Sequence, residues 1–90
     1  MSFKIIGSGS EIPSKKISNA YISKKTKKRE TWIYDKTGIS TRYFVDKNKG
    51  ESSSSLAYNS SLKAIKNAKI NKEKIDFIIS CNFTGDYIFP

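Results

Sequence analysis

The stretch from Leu56 to Ala68 constrains this 90-residue chain more than any other. Leu56, Ala57, Ser60, Ser61, Ala64, Ile65 and Ala68 recur at steps of three and four, the period of a helix with one packed face. Most of these side chains are small, so the helix is expected to lie close against a sheet or another helix. Lys63, Lys66, Asn67 and Lys69 lie off this stripe, and cations in the last turn complement the helix dipole. The four serines Ser52 to Ser55 resemble a linker but read better as the helix start, because a serine hydroxyl accepts from the N–H groups that a first turn leaves unpaired. Lys69-Ile70-Asn71 ends the helix. Asn71 to Lys74 reads as a turn, with Ile75 plugging the core.

Such a helix needs strands to pack on. Phe3-Lys4-Ile5-Ile6 reads as an opening strand, and Asp76 to Asn82 as a second. The run Phe77-Ile78-Ile79 is apolar without alternation, as in a strand covered on both faces. A strand, a long excursion with a helix and another buried strand predict a right-handed crossover in an α/β protein. Gly7-Ser8-Gly9-Ser10 begins like a dinucleotide-binding fingerprint but lacks the third glycine, since Ser10, Glu11, Ile12 and Pro13 follow. Its glycines are expected instead to let the chain pass close to another backbone. Glu11-Ile12-Pro13 is expected to be extended, because a residue before proline avoids the helical region. Cys81 falls inside the second strand and reads as a small buried residue. Phe83 to Pro90 leaves that strand as an apolar loop, which reads as a domain cut before its end.

Between these parts lies the aromatic stretch Trp32 to Phe44, which holds the only tryptophan. Thr31 to Lys36 reads as a short helix, and Gly38 stops it by taking a left-handed conformation without a Cβ penalty. Ile39, Thr41 and Tyr43 then alternate with Ser40, Arg42 and Phe44 as a strand. Upstream, Ser18 or Asn19 caps a short helix through Ala20, Tyr21 and Ile22. The run Lys24-Lys25-Thr26-Lys27-Lys28-Arg29 follows. It reads as a solvated helix face and loop, or as an electropositive collar leading to Trp32. Trp32 itself is either a platform for a flat anionic ligand or a core anchor.

Charge and composition narrow the chemistry. Seventeen Lys and Arg against eight Asp and Glu give a formal net charge of +9, which favours an anionic partner without naming it. There is no histidine and one cysteine, so an internal disulfide, a cysteine-pair zinc site and histidine acid/base chemistry are excluded within these residues. No segment has the length of a signal peptide core or a membrane span, and a soluble cytoplasmic protein is expected.

The residues taken together resemble the N-terminal segment of β-ketoacyl-acyl-carrier-protein synthase III. The resemblance rests on Lys4 to Ser10 with Pro13, then Asn19, Trp32-Ile33, Lys36-Thr37-Gly38-Ile39 and Arg42. It continues through Leu56-Ala57, Ala64, Ile75-Asp76, Ile78-Ile79 and Phe89-Pro90, and so covers essentially the whole chain in order. It implies an α/β fold, the incomplete first half of a thiolase-like αβαβα sandwich, with residues 1–90 ending before the catalytic cysteine. The family's reaction is a decarboxylative Claisen condensation. Acyl-coenzyme A loads onto a cysteine, and malonyl-acyl-carrier-protein then attacks the acyl thioester. Its nucleophilic Cys, and the His and Asn beyond, would all fall after Pro90. The resemblance therefore implies no catalytic residue here, and Cys81 matches no nucleophile.

What the resemblance carries over is binding of coenzyme A, as thioester substrate rather than as a covalently bound group. Trp32 matches the family's adenine-stacking tryptophan. Lys36 stands where the family has an arginine at the nucleotide end, which keeps the charge but loses the planar two-bond fork. Lys28 and Arg29 fall where the family has polar residues near the same ligand, and their charge offsets part of that loss. Phe89 matches the position that walls the acyl pocket across a dimer interface, where its bulk favours short acyl groups. Ser40 replaces a residue that is often basic, and Arg42 matches as a structural residue. The implied partners are acyl-coenzyme A, the acyl carrier protein, a second copy in a homodimer, and a complementary chain carrying the rest of the fold. A membrane partner is not implied and nucleic acid is disfavoured. Two readings from other classes stand beside this one: a basic nucleic-acid-binding module using Lys24 to Arg29 and Trp32, and a non-catalytic fragment that docks through its apolar end.

Overall fold

The computed structural model describes residues 2–85. Its elements are β1 (Lys15–Ser18), α1 (Asn19–Thr26), α2 (Glu30–Thr37), β2 (Thr41–Phe44) and α3 (Ser53–Ala68). Short 3₁₀ turns lie at Lys47–Lys49 and Lys72–Lys74. The architecture is mixed α/β. β1 and β2 pair antiparallel, with Lys15 opposite Phe44 and Ile17 opposite Arg42.

Local chemistry sets the helix ends. The Ser18 hydroxyl accepts from the Tyr21 N–H and caps α1. α1 stops at Lys27, whose φ of 60° is left-handed and costs a residue with a Cβ about 1–2 kcal/mol. Its N–H is satisfied by the Ser23 carbonyl at 2.8 Å. α2 ends at Gly38 (φ 68°), where the same conformation carries no such cost, and the Gly38 N–H donates to the Tyr34 carbonyl at 2.6 Å. Asn19 ties the two halves of this unit together. Its backbone N–H reaches the Ser40 carbonyl at 3.1 Å and its Nδ2 donates to the Ile39 carbonyl at 2.8 Å. Arg42 donates through Nη2 to Asn19 Oδ1 at 2.7 Å and through Nη1 to the Ile17 carbonyl at 3.4 Å. Ile17 and Ile33, each 4% exposed, are the apolar centre of this sheet-and-hairpin unit and the buried hydrophobic residues among those described.

α3 forms a second packed layer. Ser52 and Ser55 make a reciprocal capping box at its start, so the serine tract is a helix N-terminus. Leu56, Ser60, Ala64, Ile65 and Ala68 are half-buried. Against them runs the segment of Gly7 to Glu11. A Cβ on Gly7 would lie 2.5 Å from the Ala64 carbonyl oxygen, and one on Gly9 would meet the Ser60 carbonyl oxygen and stand 2.6 Å from the Ala64 nitrogen. Both glycines thus give the close backbone approach expected of them. Asn67 Nδ2 donates to the Ser8 carbonyl at 2.7 Å, and Lys63 Nζ reaches the Ser10 carbonyl and the Glu11 carboxylate, both at 3.1 Å.

Several expectations are corrected. Phe3 to Ile6 and Asp76 to Asn82 run without regular structure, and the expected parallel crossover is not formed. A strand is completed only by a neighbour that takes its N–H and C=O groups. Among the described residues no neighbour pairs with either segment. Phe77, Ile78 and Ile79 are consequently 80%, 81% and 78% exposed. Ile75 is also exposed and does not plug the core. Cys81 is exposed as well and is not the buried residue expected. β1 was not foreseen: Lys15-Lys16-Ile17-Ser18 has one apolar residue, and its partner across the sheet makes it a strand.

Candidate functional site

The three-residue link between α1 and α2, Lys27 to Arg29, turns the chain so that both helices face one hollow. Ile22 and Thr26 of α1, Lys28 of the link, Trp32, Ile33 and Thr37 of α2, and Arg42 of β2 line a cavity of about 400 Å³. That volume is in the range of small-ligand sites. Ile22, Thr26 and Ile33, Thr37 each meet the wall because residues four apart share a helix face. The sequence offered no signal for Thr26, Ile22 or Thr37 in this role beyond that spacing.

Trp32 is 45% exposed, and so is a wall rather than a core anchor. Lys28 Nζ stands 4.9 Å from the centre of its ring, a cation over an aromatic face. The other polar groups are already engaged. Thr37 Oγ1 donates to the Ile33 carbonyl at 2.7 Å and accepts from the Ile39 N–H at 3.0 Å. Thr26 Oγ1 donates to the Ile22 carbonyl at 2.9 Å. The Arg42 guanidinium is turned to Asn19 and Ile17. Among the described residues Lys28 is therefore the lining cation whose charged end has no hydrogen-bonding side-chain or carbonyl partner in this hollow, and it lies beside an apolar wall and over the Trp32 ring.

The structure brings Trp32 and Lys28 together and leaves the other expected site residues apart. Lys36 sits in the last turn of α2, exposed, and does not line the cavity. Arg29 occupies the N-cap position of α2 with no capping side-chain bond, and is also exposed and outside the lining. Phe89 lies outside the described residues. The remainder of the Lys24 to Arg29 run is exposed, with Lys25 Nζ 5.6 Å from the Tyr21 ring centre.

Elsewhere, Cys81 lines a separate hollow with Ser53, Ser54, Leu56, Ala57, Ser80, Asn82 and Gly85, none of them a cation among the described residues. Glu51 is the titratable group whose environment is distinctive. Its Oε1 accepts from the backbone N–H groups of Asp46 at 2.8 Å and Ser14 at 3.1 Å, and these bonds, with help from the Lys49 charge, hold its carboxyl below the usual carboxylate range. This joins the loop after β2 to the residue before β1. Among the described residues no helix is long and apolar enough to cross a membrane.

No family model matches the chain. Curated relatives match it from end to end. The chain is 40% identical over its 90 residues to the β-ketoacyl-[acyl-carrier-protein] synthase III of Rickettsia akari. It is 42% identical over the same length to the proteins of that name from Rickettsia canadensis and Staphylococcus aureus strain Newman. In each case it spans about 28% of the relative's length, and the matched part is the N-terminal segment. The three helices and small sheet are consistent with part of an α/β thiolase-like fold.

Proposed function

We propose that this chain is the N-terminal part of a β-ketoacyl-acyl-carrier-protein synthase III-type acyltransferase, with residues 1–90 preceding the catalytic cysteine. Its homology to the synthase III N-terminal segment over its whole length, at 40–42% identity, carries this reading. In the complete protein an acyl group passes from coenzyme A to a cysteine thiolate, which displaces the coenzyme A thiolate and forms a thioester. Malonyl-acyl-carrier-protein then loses carbon dioxide, and its carbanion attacks the thioester carbonyl and expels the cysteine. The 90 residues contain no histidine to share in that chemistry. Cys81 stands where the family has no nucleophile and is assigned no part in it.

Binding is the contribution of these residues. Trp32 stacks on the adenine of coenzyme A, and Lys28, Lys36 and Arg29 supply positive charge to its phosphates. The cavity beside Trp32, with its apolar wall and its cation, supports that role. Phe89 walls the acyl pocket. The complete protein takes acyl-coenzyme A and the acyl carrier protein as partners, forms a homodimer and works in the cytoplasm.

Trp32 is the only tryptophan, so its fluorescence reports on the site directly. Titrating the chain with coenzyme A should quench that emission saturably, while incubation with acetyl-coenzyme A should leave Cys81 unacylated by mass spectrometry. An unquenched, ligand-independent Trp32 would remove the binding role, and an acyl group on Cys81 would overturn the assignment of chemistry elsewhere.

A further inference from the structure

Lys28 occupies the place that a stacked base would take. Its ammonium group lies over the Trp32 ring, 4.9 Å from the ring centre, and both residues line the same cavity. A base stacking there must displace it. Building on the reading of Trp32 as a platform, we propose that Lys28 is a charge gate that selects phosphorylated over unphosphorylated nucleotides at Trp32.

A cation over an exposed aromatic ring shifts an equilibrium by about two- to five-fold, and a stacked base by about five- to 150-fold. The base therefore wins the ring face, and the lysine has to go elsewhere. A ligand with a phosphate beside the base gives the displaced ammonium a new partner. An unphosphorylated nucleoside gives it none, and loses the cation–aromatic contact without return. Arg42 does not supply the same charge, because its guanidinium is bound to Asn19 and to the Ile17 carbonyl. Lys36 stands outside the lining, so the cation over the ring is Lys28.

The link that carries Lys28 suits this role. It follows the left-handed Lys27, and it is fixed by backbone atoms: the Lys28 carbonyl accepts from Ser23 Oγ at 2.5 Å, and its N–H reaches Thr26 Oγ1 at 3.4 Å. The side chain is thus free to swing while the link stays in place, and truncating it leaves those bonds intact.

The gate predicts effects of opposite sign. In Lys28→Ala, adenosine should bind about two- to five-fold more tightly than to the unaltered chain, because nothing has to be displaced. Adenosine 3′,5′-bisphosphate should bind up to about five-fold more weakly, and less salt-dependently, because the phosphate has lost its partner. Lys28→Arg should restore preference for the bisphosphate, and Lys66→Ala, on α3 and outside the lining of this cavity, should leave the ratio of the two affinities unchanged. All are read by Trp32 fluorescence on the full chain, with circular dichroism to show that each variant is folded. If the unaltered chain responds to both ligands but Lys28→Ala weakens or strengthens them alike, the gate is wrong and the platform stands. If the unaltered chain responds to neither, the platform fails and the gate with it.

Discussion

Asn19 does more than its neighbours at the head of α1. Ser18 supplies the cap, while Asn19 is buried and turns both ends of its amide inward, to the Ile39 carbonyl and to Arg42. From the sequence both residues were equal candidates for the cap, since each is a good capping type. The distinction depends on what lies across the turn after α2, which spacing along the chain does not reveal. Asn19→Ala would leave the Ile39 carbonyl without that donor and the Arg42 guanidinium without its acceptor. Breaking a hydrogen bond to a charged group in a part-buried site costs about 1.5–3 kcal/mol. The urea midpoint followed by Trp32 fluorescence should fall accordingly. Arg42→Lys should lose part of the same amount, because an ammonium cannot hold Asn19 and Ile17 with one planar fork. A midpoint unchanged in Asn19→Ala would show that the pair does not hold the sheet to the helices.

At the scale of elements, the helices and the strand at Thr41–Phe44 were legible and the other strands were not, for a physical reason. A helix satisfies its own backbone, so its signals are local: the Ser18 cap, the Gly38 stop, the Ser52–Ser55 box and, except for the exposed Ala57 and Ser61, the small-residue face of α3 stand where the residues pointed. A strand is completed by its partner. Lys15 to Ser18 has little strand character yet pairs with Thr41 to Phe44, while the more strand-like Phe77-Ile78-Ile79 pairs with nothing among the described residues. The candidate site divides in the same way. Trp32 and Lys28 are four residues apart across a helix start and meet, whereas Lys36, also four from Trp32, lies in the last turn of α2 outside the cavity. A close approach of Gly7 and Gly9 to another backbone was foreseen from the missing Cβ atoms; that the backbone is α3 was not, and the contact tests how closely these elements fit. Neither glycine has a positive φ, so the demand is for space alone. Gly9→Ala would drive its Cβ into backbone atoms of Ser60 and Ala64, which cannot rotate away. Overpacking of this kind costs about 1–3 kcal/mol. The segment of residues 7–11 should lift from α3, seen as faster cleavage by trypsin after Lys4 and faster amide exchange at Ser8 and Ser10. The β1–β2 unit should keep its protection. Equal cleavage rates in Gly9→Ala and the unaltered chain would mean that the segment is not seated on α3.

The whole molecule exposes far more surface than its size requires. Its accessible area is 8463 Å², against about 5300 Å² expected for a compact monomer of this mass. Its radius of gyration is 17.6 Å, where a compact chain of this length has about 12 Å. The excess of roughly 3000 Å² is what an obligate interface covers. Much of the apolar part is on the two unpaired segments: Phe3 and Ile5 are at least 90% exposed, and Phe77 to Ile79 about 80%. Their backbone N–H and C=O groups are also open to a neighbouring strand, so the surface suits added β-strands rather than a flat apolar face. A second copy of this chain is a poor occupant, because each copy carries a net charge of +9. The chain spans about 28% of its relatives' length, and the occupant to test is the polypeptide that makes up the remainder of theirs. Cys81 lies in the second open segment and serves as the reporter. Mixing the chain with the remaining part of the Staphylococcus aureus synthase III, and separately with that of Rickettsia akari, should give a one-to-one complex. Alkylation of Cys81, read by mass on this chain alone, should slow by at least about ten-fold in that complex. Cys81 labelled at its original rate beside both polypeptides would exclude strand completion as the role of these segments. Protection that instead rises with the concentration of the chain alone would assign the surface to self-association.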